Sequence, residues 1–493
     1  MPRIACVLVP DLAVAAACRA EPELAGRPLV LTEGRGPHAR VVAVSAAARA
    51  RGIRPGCTAT QAGAAAADLV VRPRNLAAER SAALALADVA ASLAQRIEVA
   101  ADGAVFLDAA GSAHLAAGEA GLATALVARA ARVGLAARAG VGASMTVARL
   151  AALHGDGVQV VPAGTERGFL APLPLACLAP PPDIAATLAR WGVARLGDLA
   201  RLPAAEVATR LGRAGARLVA AARGEDERPL VPRPLDGTVE EATALEHPLD
   251  ALEPLLFVLR GLIERATARL ALLGAGCARV DLGLGLDDRS RDLREVPLAA
   301  PTRDGKAILA CLRVAIEARP PRAAVEHVRL VAAPAPVRAA QLGLFTPPGP
   351  APERLATTLA RLAALCGPDR VGAPVPLDTH RPGAAAVVPF APAPAAAPEP
   401  PAAATRCCRL VVRVLRPPRA IEVFAERGTP AFVRGPGLGG RVVGAAGPWR
   451  IAAQWWSTPL ARDYWDLELT DGGIYRCYHE RDSARWFVDG VYD

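Results

Sequence analysis

The spacing of hydrophobic and polar positions changes period several times along the chain. RIACVLVP alternates as a buried strand, GRPLVLTEG and ARVVAVS read as two more, and AAARARGIRPG then reads as a helix closed by Gly52. Helical spacing returns over about 77–96 and 119–133, and a hairpin-like pair surrounds GAVFLDAAG. These elements predict an α+β domain over residues 1–165. Residues 166–236 read as helices with short loops, and 237–340 follow the order strand, long helix, strand, strand, helix, strand. That βαββαβ order predicts a ferredoxin-like unit.

QLGLF at 341–345 is an apolar tip with no element to extend it, because Pro347, Pro348 and Pro350 follow at once. PERLATTLARLAALCG predicts one more helix within 341–388, and the Pro/Ala tract at 389–408 reads as a linker. Residues 409–493 predict a separate β-rich module. All four tyrosines and five of the six tryptophans lie from Trp449 onward. The cluster fits either the core of a small domain or a partner-binding surface carried by Trp455, Trp456, Trp465 and Trp486.

At 493 residues the chain is long enough for several domains, each with a core. The formal net charge is +9 and Lys306 is the only lysine, so arginine carries the positive charge and an anionic partner such as DNA is favoured. Ten cysteines without CxxC or Cys/His spacing exclude a zinc motif and predict a reduced, cytoplasmic protein. Apolar runs are interrupted by charges, so no membrane span is expected. VPAGTERG and GPGLGGR lack the strand-to-helix setting and lysine of a nucleotide loop, and His114 and His154 read as structural.

Several stretches, in order over about 3–337, resemble the Y-family translesion DNA polymerases. AEPELAGRPLVL, VVAVSAAARARGIRPGCT, GAVFLDAAGS and GVGASMTVARLAA resemble palm and fingers. RWGVARLGDLARLP and AAARGED resemble a helix-hairpin-helix thumb, and the βαββαβ unit resembles the little finger. The resemblance implies two Mg²⁺ ions held by carboxylates on adjacent palm strands. Here Leu8 and Pro10 fall at the acidic positions of the first motif, with Leu12 and Ala13 at its aromatic positions. Asp11 is displaced by one residue, which on a strand reverses the face. In the second motif Gly103 and Ala104 stand where an Asp-Glu pair belongs. Asp102 is again one place off, and Asp108 matches a final acid expected to support the strand. Ala46 replaces a fingers tyrosine and Met145 a triphosphate lysine, leaving Arg49 and Arg149 as basic, DNA-facing positions. The expectation is a non-enzyme without metal or cofactor; the alternative is an active polymerase using Asp11, Asp102 and Asp108.

This erosion resembles the ImuB family of bacterial mutagenesis cassettes, which share a P-D-x-x-V first motif (here Pro10 to Val14) and a similar C-terminal tail. The resemblance implies a non-catalytic adaptor in SOS mutagenesis and DNA repair. Its expected partners are primer-template DNA, the sliding clamp, a RecA-like accessory protein (ImuA) and an error-prone C-family polymerase. QLGLF resembles a clamp-binding peptide, with Gln341 hydrogen-bonding the pocket rim and Leu342, Leu344 and Phe345 supplying apolar contact. In the thumb, the turns at Gly192 and Gly197 are expected to donate backbone N–H groups to a DNA phosphate, aided by Arg195, Arg201 and Arg223.

Overall fold

A computed structural model describes residues 3–34, 36–226, 228–232, 237–337, 366–379, 381–388, 390, 411–453 and 459–492, with scattered positions in the 355–363 stretch. QLGLF, Trp455 and Trp456 lie outside the described residues.

Residues 1–365 form one unit and 366–493 a second. The first opens with β1 (Ile4–Leu8), α1 (Leu12–Ala20), β2 (Leu29–Glu33), β3 (Arg40–Val44), α2 (Ala46–Ala50), α3 (Ala59–Ala65) and β4 (Val70–Pro73). It continues with α4 (Leu76–Ala91), β5 (Ile97–Val99), β6 (Val105–Asp108), α5 (Ala109–Ser112), α6 (Gly118–Arg132), β7 (Arg138–Gly142), α7 (Met145–His154) and β8 (Val158–Val160). The palm sheet has the order β5-β6-β1-β7-β8, and β3-β2-β4 form a separate fingers sheet. Alternation along β1 decides its two faces. Ala5 and Val7 join Val105 and Leu107 in the core under α4 and α6. Ile4, Cys6 and Leu8 join Ala104 and Phe106 against Met145, Ala148 and Ala152 of α7. That second packing is very close: a Cβ on Gly140 of β7 would lie 2.2 Å from the Ala148 carbonyl oxygen, so glycine is required there.

The thumb comprises α8 (Glu166–Leu170), α9 (Pro182–Arg190), α10 (Leu196–Arg201) and α11 (Ala204–Arg223). The little finger follows as β9 (Val239–Leu249), α12 (Leu252–Leu272), β10 (Ala275–Leu286), β11 (Arg291–Thr302), α13 (Gly305–Ala318) and β12 (Val325–Pro336). Its sheet order is β11-β10-β12-β9. The strands joined through α12 therefore straddle β12, a split βαβ arrangement as the periodicity predicts. Leu259, Leu262, Ile308 and Leu312 of the two helices meet Val280, Leu282 and Leu330 of the sheet.

The little finger docks on the palm through polar groups. Asn75 caps α4 by accepting from the Ala78 N–H at 3.1 Å and donates to the Ala244 carbonyl of β9 at 3.0 Å. Ser81 accepts from the Ala242 N–H at 2.8 Å. Between them Glu241 is 0 % exposed, and Arg19 of α1 grips its carboxylate with bonds of 2.8 and 2.9 Å. Arg269 and Arg265 of α12 reach the same carboxylate at 3.0 and 3.3 Å, and Arg269 also holds Asp88 of α4 at 2.6 Å.

The second unit contains the hairpin β13 (Ala373–Pro376) and β14 (Ala385–Val388), then β15 (Val412–Glu426), β16 (Thr429–Gly435), β17 (Leu438–Ala453), β18 (Leu460–Leu469), β19 (Ile474–Glu480) and β20 (Arg485–Tyr492). The last six close into an antiparallel barrel. The hairpin corrects the expectation of a helical extension through residue 388: Val375, Val387 and Val388 favour strand, and Ala373 and Val375, each before a proline, are biased to extended backbone. Among the described residues no helix is long and apolar enough to cross a membrane.

Removing Glu241 strands buried guanidinium groups, so Glu241→Gln should lower stability by about 3–5 kcal/mol at neutral pH. Burial raises the Glu241 carboxyl, but the bonds and charges of Arg19, Arg269 and Arg265 outweigh it and leave the pKa below the ordinary value. A folded-state pKa below the unfolded one gives stability that is complete above the ordinary glutamate range and is lost as pH falls through the lower, folded value. Asp88 acts oppositely, since burial, offset only in part by Arg269, raises it. Urea midpoints measured from neutral to acid pH should therefore fall less steeply in Glu241→Gln than in the parent chain.

Candidate functional site

The palm face carried by Cys6 and Leu8 is where the first-motif alignment places metal ligands. Leu8 and Ala104 are buried in the apolar cluster beneath α7, with Met145 beside them. The β5–β6 turn presents Gly103 at φ +82°, a left-handed backbone that disfavours a side chain. A Cβ there would lie 2.8 Å from Leu12 Cδ2, so the leucine of α1 fills the space above the second-motif position.

Each displaced acid is held by an arginine. Asp11 begins α1 at φ 51°, a left-handed conformation that aspartate tolerates better than most residues, and its side chain does not cap the helix. Its carboxylate instead pairs with Arg49 of α2 at 3.0 Å, joining palm to fingers. Asp102 pairs with Arg149 of α7. Burial raises the Asp102 carboxyl, but the Arg149 hydrogen bond and charge prevail and leave its pKa below the ordinary value. Burial pushes the neighbouring Cys6 thiol well above its usual range. Asp108 caps α5 by accepting from the Gly111 N–H at 3.3 Å. Among the described residues no three His, Cys, Asp or Glu side chains are grouped to hold a metal ion. Arg49 and Arg149, read from sequence as DNA-facing positions, thus spend their charge on these acids. A groove of about 720 Å³ lies elsewhere, between the fingers sheet and the little finger, lined by residues including Leu76, Arg72, Phe257 and Arg260.

The thumb hairpin requires revision. The N–H groups of Leu196 and Gly197 donate to the carbonyls of Leu173 and Ala171 at 2.9 and 3.1 Å, and the Gly192 N–H donates to Ala189 at 3.0 Å. None of these amides faces outward for a phosphate. Asp198 accepts from the Arg195 N–H at 3.1 Å and adds negative charge at the same helix start. Arg223 donates to the carbonyls of Ala200 and Leu202 at 3.0 and 2.8 Å, closing the end of α10. Only Arg195 and Arg201 of the proposed thumb contacts project into solvent.

The aromatic candidates of the C-terminal module also change role. Trp465 is 8 % exposed and packs in the barrel core with Val433, Cys477 and Val488, with Trp486 partly buried against them. The outward aromatic pair is Phe424 and Phe432, which sequence reading passed over. Their signal is the FAERGTPAF run, two alternating stretches around a glycine turn.

Residues 10–153 match the model of the impB/mucB/samB family. Palm, fingers, thumb and little finger, with the site at the palm's centre, define a homologue of the Y-family DNA polymerases. Protein ImuB of Caulobacter vibrioides is 30% identical over 463 residues, covering 90% of this chain and 100% of that protein. The chain belongs to the ImuB family. DNA polymerase IV 1 of Mesorhizobium japonicum is 29% identical over 58% of this chain and 66% of its own length. A crystal structure of DinB from Sulfolobus solfataricus aligns with 68% of this chain and 100% of its own at TM-score 0.41 and 17% identity.

Replacing Gly103 by Asp together with Ala104 by Glu rebuilds the acidic motif in sequence only. The left-handed backbone and the Leu12 contact should make that chain less stable by about 2 kcal/mol, read by chemical denaturation, with no gain of Mg²⁺-dependent primer extension.

Proposed function

We propose that the protein is a non-catalytic adaptor that sits on primer-template DNA at the sliding clamp and recruits an error-prone C-family polymerase, with an ImuA-like partner, for translesion synthesis and damage-induced mutagenesis. The observation that supports it most is the sealed palm. Two-metal phosphoryl transfer needs converging carboxylates with free oxygens on adjacent strands. Here Leu8 and Ala104 are buried, Leu12 covers Gly103, and Asp11 and Asp102 are each bound by an arginine. Pairing with a fixed cation opposes coordination of a second one.

Tethering then falls to QLGLF, whose Gln341, Leu342, Leu344 and Phe345 have the chemistry of a short peptide that enters a pocket on another protein. The proline-rich sequence after it opposes its absorption into a helix or strand. DNA contact in this reading is to phosphates and independent of sequence.

Purified protein with primer-template, nucleotides and Mg²⁺ should incorporate nothing above background. Incorporation abolished by Asp11→Ala would instead establish the polymerase that uses Asp11, Asp102 and Asp108. Leu344→Ala with Phe345→Ala should weaken binding to the cognate sliding clamp by at least tenfold in a titration, while the melting temperature stays unchanged; an unaltered affinity removes the motif from the proposal.

A further inference from the structure

Phe424 of β15 and Phe432 of β16 are directly opposed across the strands. Their ring centroids are 6.2 Å apart with the planes tilted by 55°. Both point away from the barrel core, at 59 % and 43 % exposure. The next strand continues the row, because Phe432 is opposite Arg441 of β17. Two residues further along the same face Arg434 stands opposite Glu422. Among the described residues neither Arg434 nor Arg441 has an ion-pair partner.

The other half of the barrel provides an internal comparison. Tyr464, Tyr478 and Phe487 form a row across β18–β20 with centroid separations of 5.3 and 5.2 Å. Arginines already cover it: Arg462 stands 4.0 Å above Tyr478 and Arg485 5.4 Å from Phe487. That row is complete within the fold, whereas among the described residues no arginine stands over the ring of Phe424 or Phe432. Charge divides the same way. Residues 411–444 contain six arginines against two glutamates, while Arg450, Arg462 and Arg476 further on are matched by Asp463, Glu480 and Asp489.

We propose that the outer face of β15–β17 binds single-stranded nucleic acid, with bases stacking on Phe424 and Phe432 and phosphates meeting Arg434 and Arg441. Exposed rings offer a π-face to any base, and flanking cations follow the backbone of an unpaired strand. A protein strand has no edge to join, because the barrel is closed. The exposed large apolar side chains of β15–β17 are Val414, Phe424, Phe432, Val443 and Trp449, far fewer than the roughly 20–30 residues a side that a stable protein interface engages. The inference uses no residue of the palm and stands independently of the adaptor reading.

The test is photo-cross-linking and titration of the full-length protein with a labelled oligothymidylate carrying 5-iodouracil. A cross-linked peptide spanning Phe424 or Phe432 is expected. Phe424→Ala with Phe432→Ala should lose that cross-link and weaken single-strand binding roughly tenfold to a hundredfold, whereas Phe424→Trp with Phe432→Trp should retain both. Arg434→Ala and Arg441→Ala should each reduce the salt dependence by about one phosphate contact. Cross-links found only outside residues 411–453 at saturating oligonucleotide overturn the proposal. So does a double alanine variant whose cross-linking is unchanged, or one that loses only the binding of a protein partner.

Discussion

The placement of the little finger depends on one carboxylate taken fully out of water. Glu241 on β9 meets Arg19 of the palm and Arg265 and Arg269 of α12, and Arg269 extends the cluster to Asp88. Removing such charges from water costs several kcal/mol per ion, recovered only when every oxygen and guanidinium finds its partner. The cluster therefore selects one arrangement sharply while adding little net stability. Arginine suits this role because its planar fork binds a carboxylate bidentately and stays charged when desolvated, unlike lysine. With β9 held against α4, Asn75 both starts the helix and bonds the strand, so the local helix signal and the interdomain contact depend on the same side chain.

On the opposite side of the palm sheet the same economy of side chains produces a different surface. A strand shows alternate residues to opposite faces, so an acid one place off its motif position belongs to the turn beyond the strand. Asp11 and Asp102 occupy such turns, and Arg49 and Arg149 join them to the fingers and to α7. These pairs are close to half exposed, where an ion pair contributes at most about 1 kcal/mol. Their effect is chiefly electrostatic: positive charge that faces outward in a nucleotide-binding cleft is here compensated locally.

Much of this was legible in sequence because periodicity reports burial. IACVL and the βαββαβ order follow from local pattern, and the absent acids at Leu8, Pro10, Gly103 and Ala104 from the resemblance to the Y-family motifs. Partners separated along the chain were not legible. Arg19 and Glu241 are 222 positions apart, and each read alone is an ordinary surface charge. The amides of Leu196 and Gly197 resembled a phosphate cradle because only the tertiary fold brings the carbonyls of Leu173 and Ala171 to them. For Trp465 the two readings, core or partner surface, stay open in the sequence for a related reason: clustering by residue type shows abundance, whereas strand register decides which rings turn inward.

The contact between Gly103 and Leu12 also bears on how this chain can change over generations. A carboxylate at position 103 would sit on a left-handed backbone, and Leu12 Cδ2, the end of a flexible side chain, would have to move away from it. Under the adaptor reading the backbone at Gly103 acts as a ratchet. Glycine is easily accommodated at this turn, whereas the return to a carboxylate carries the strain of the left-handed backbone. Under that reading the palm is free to be retained for its shape alone.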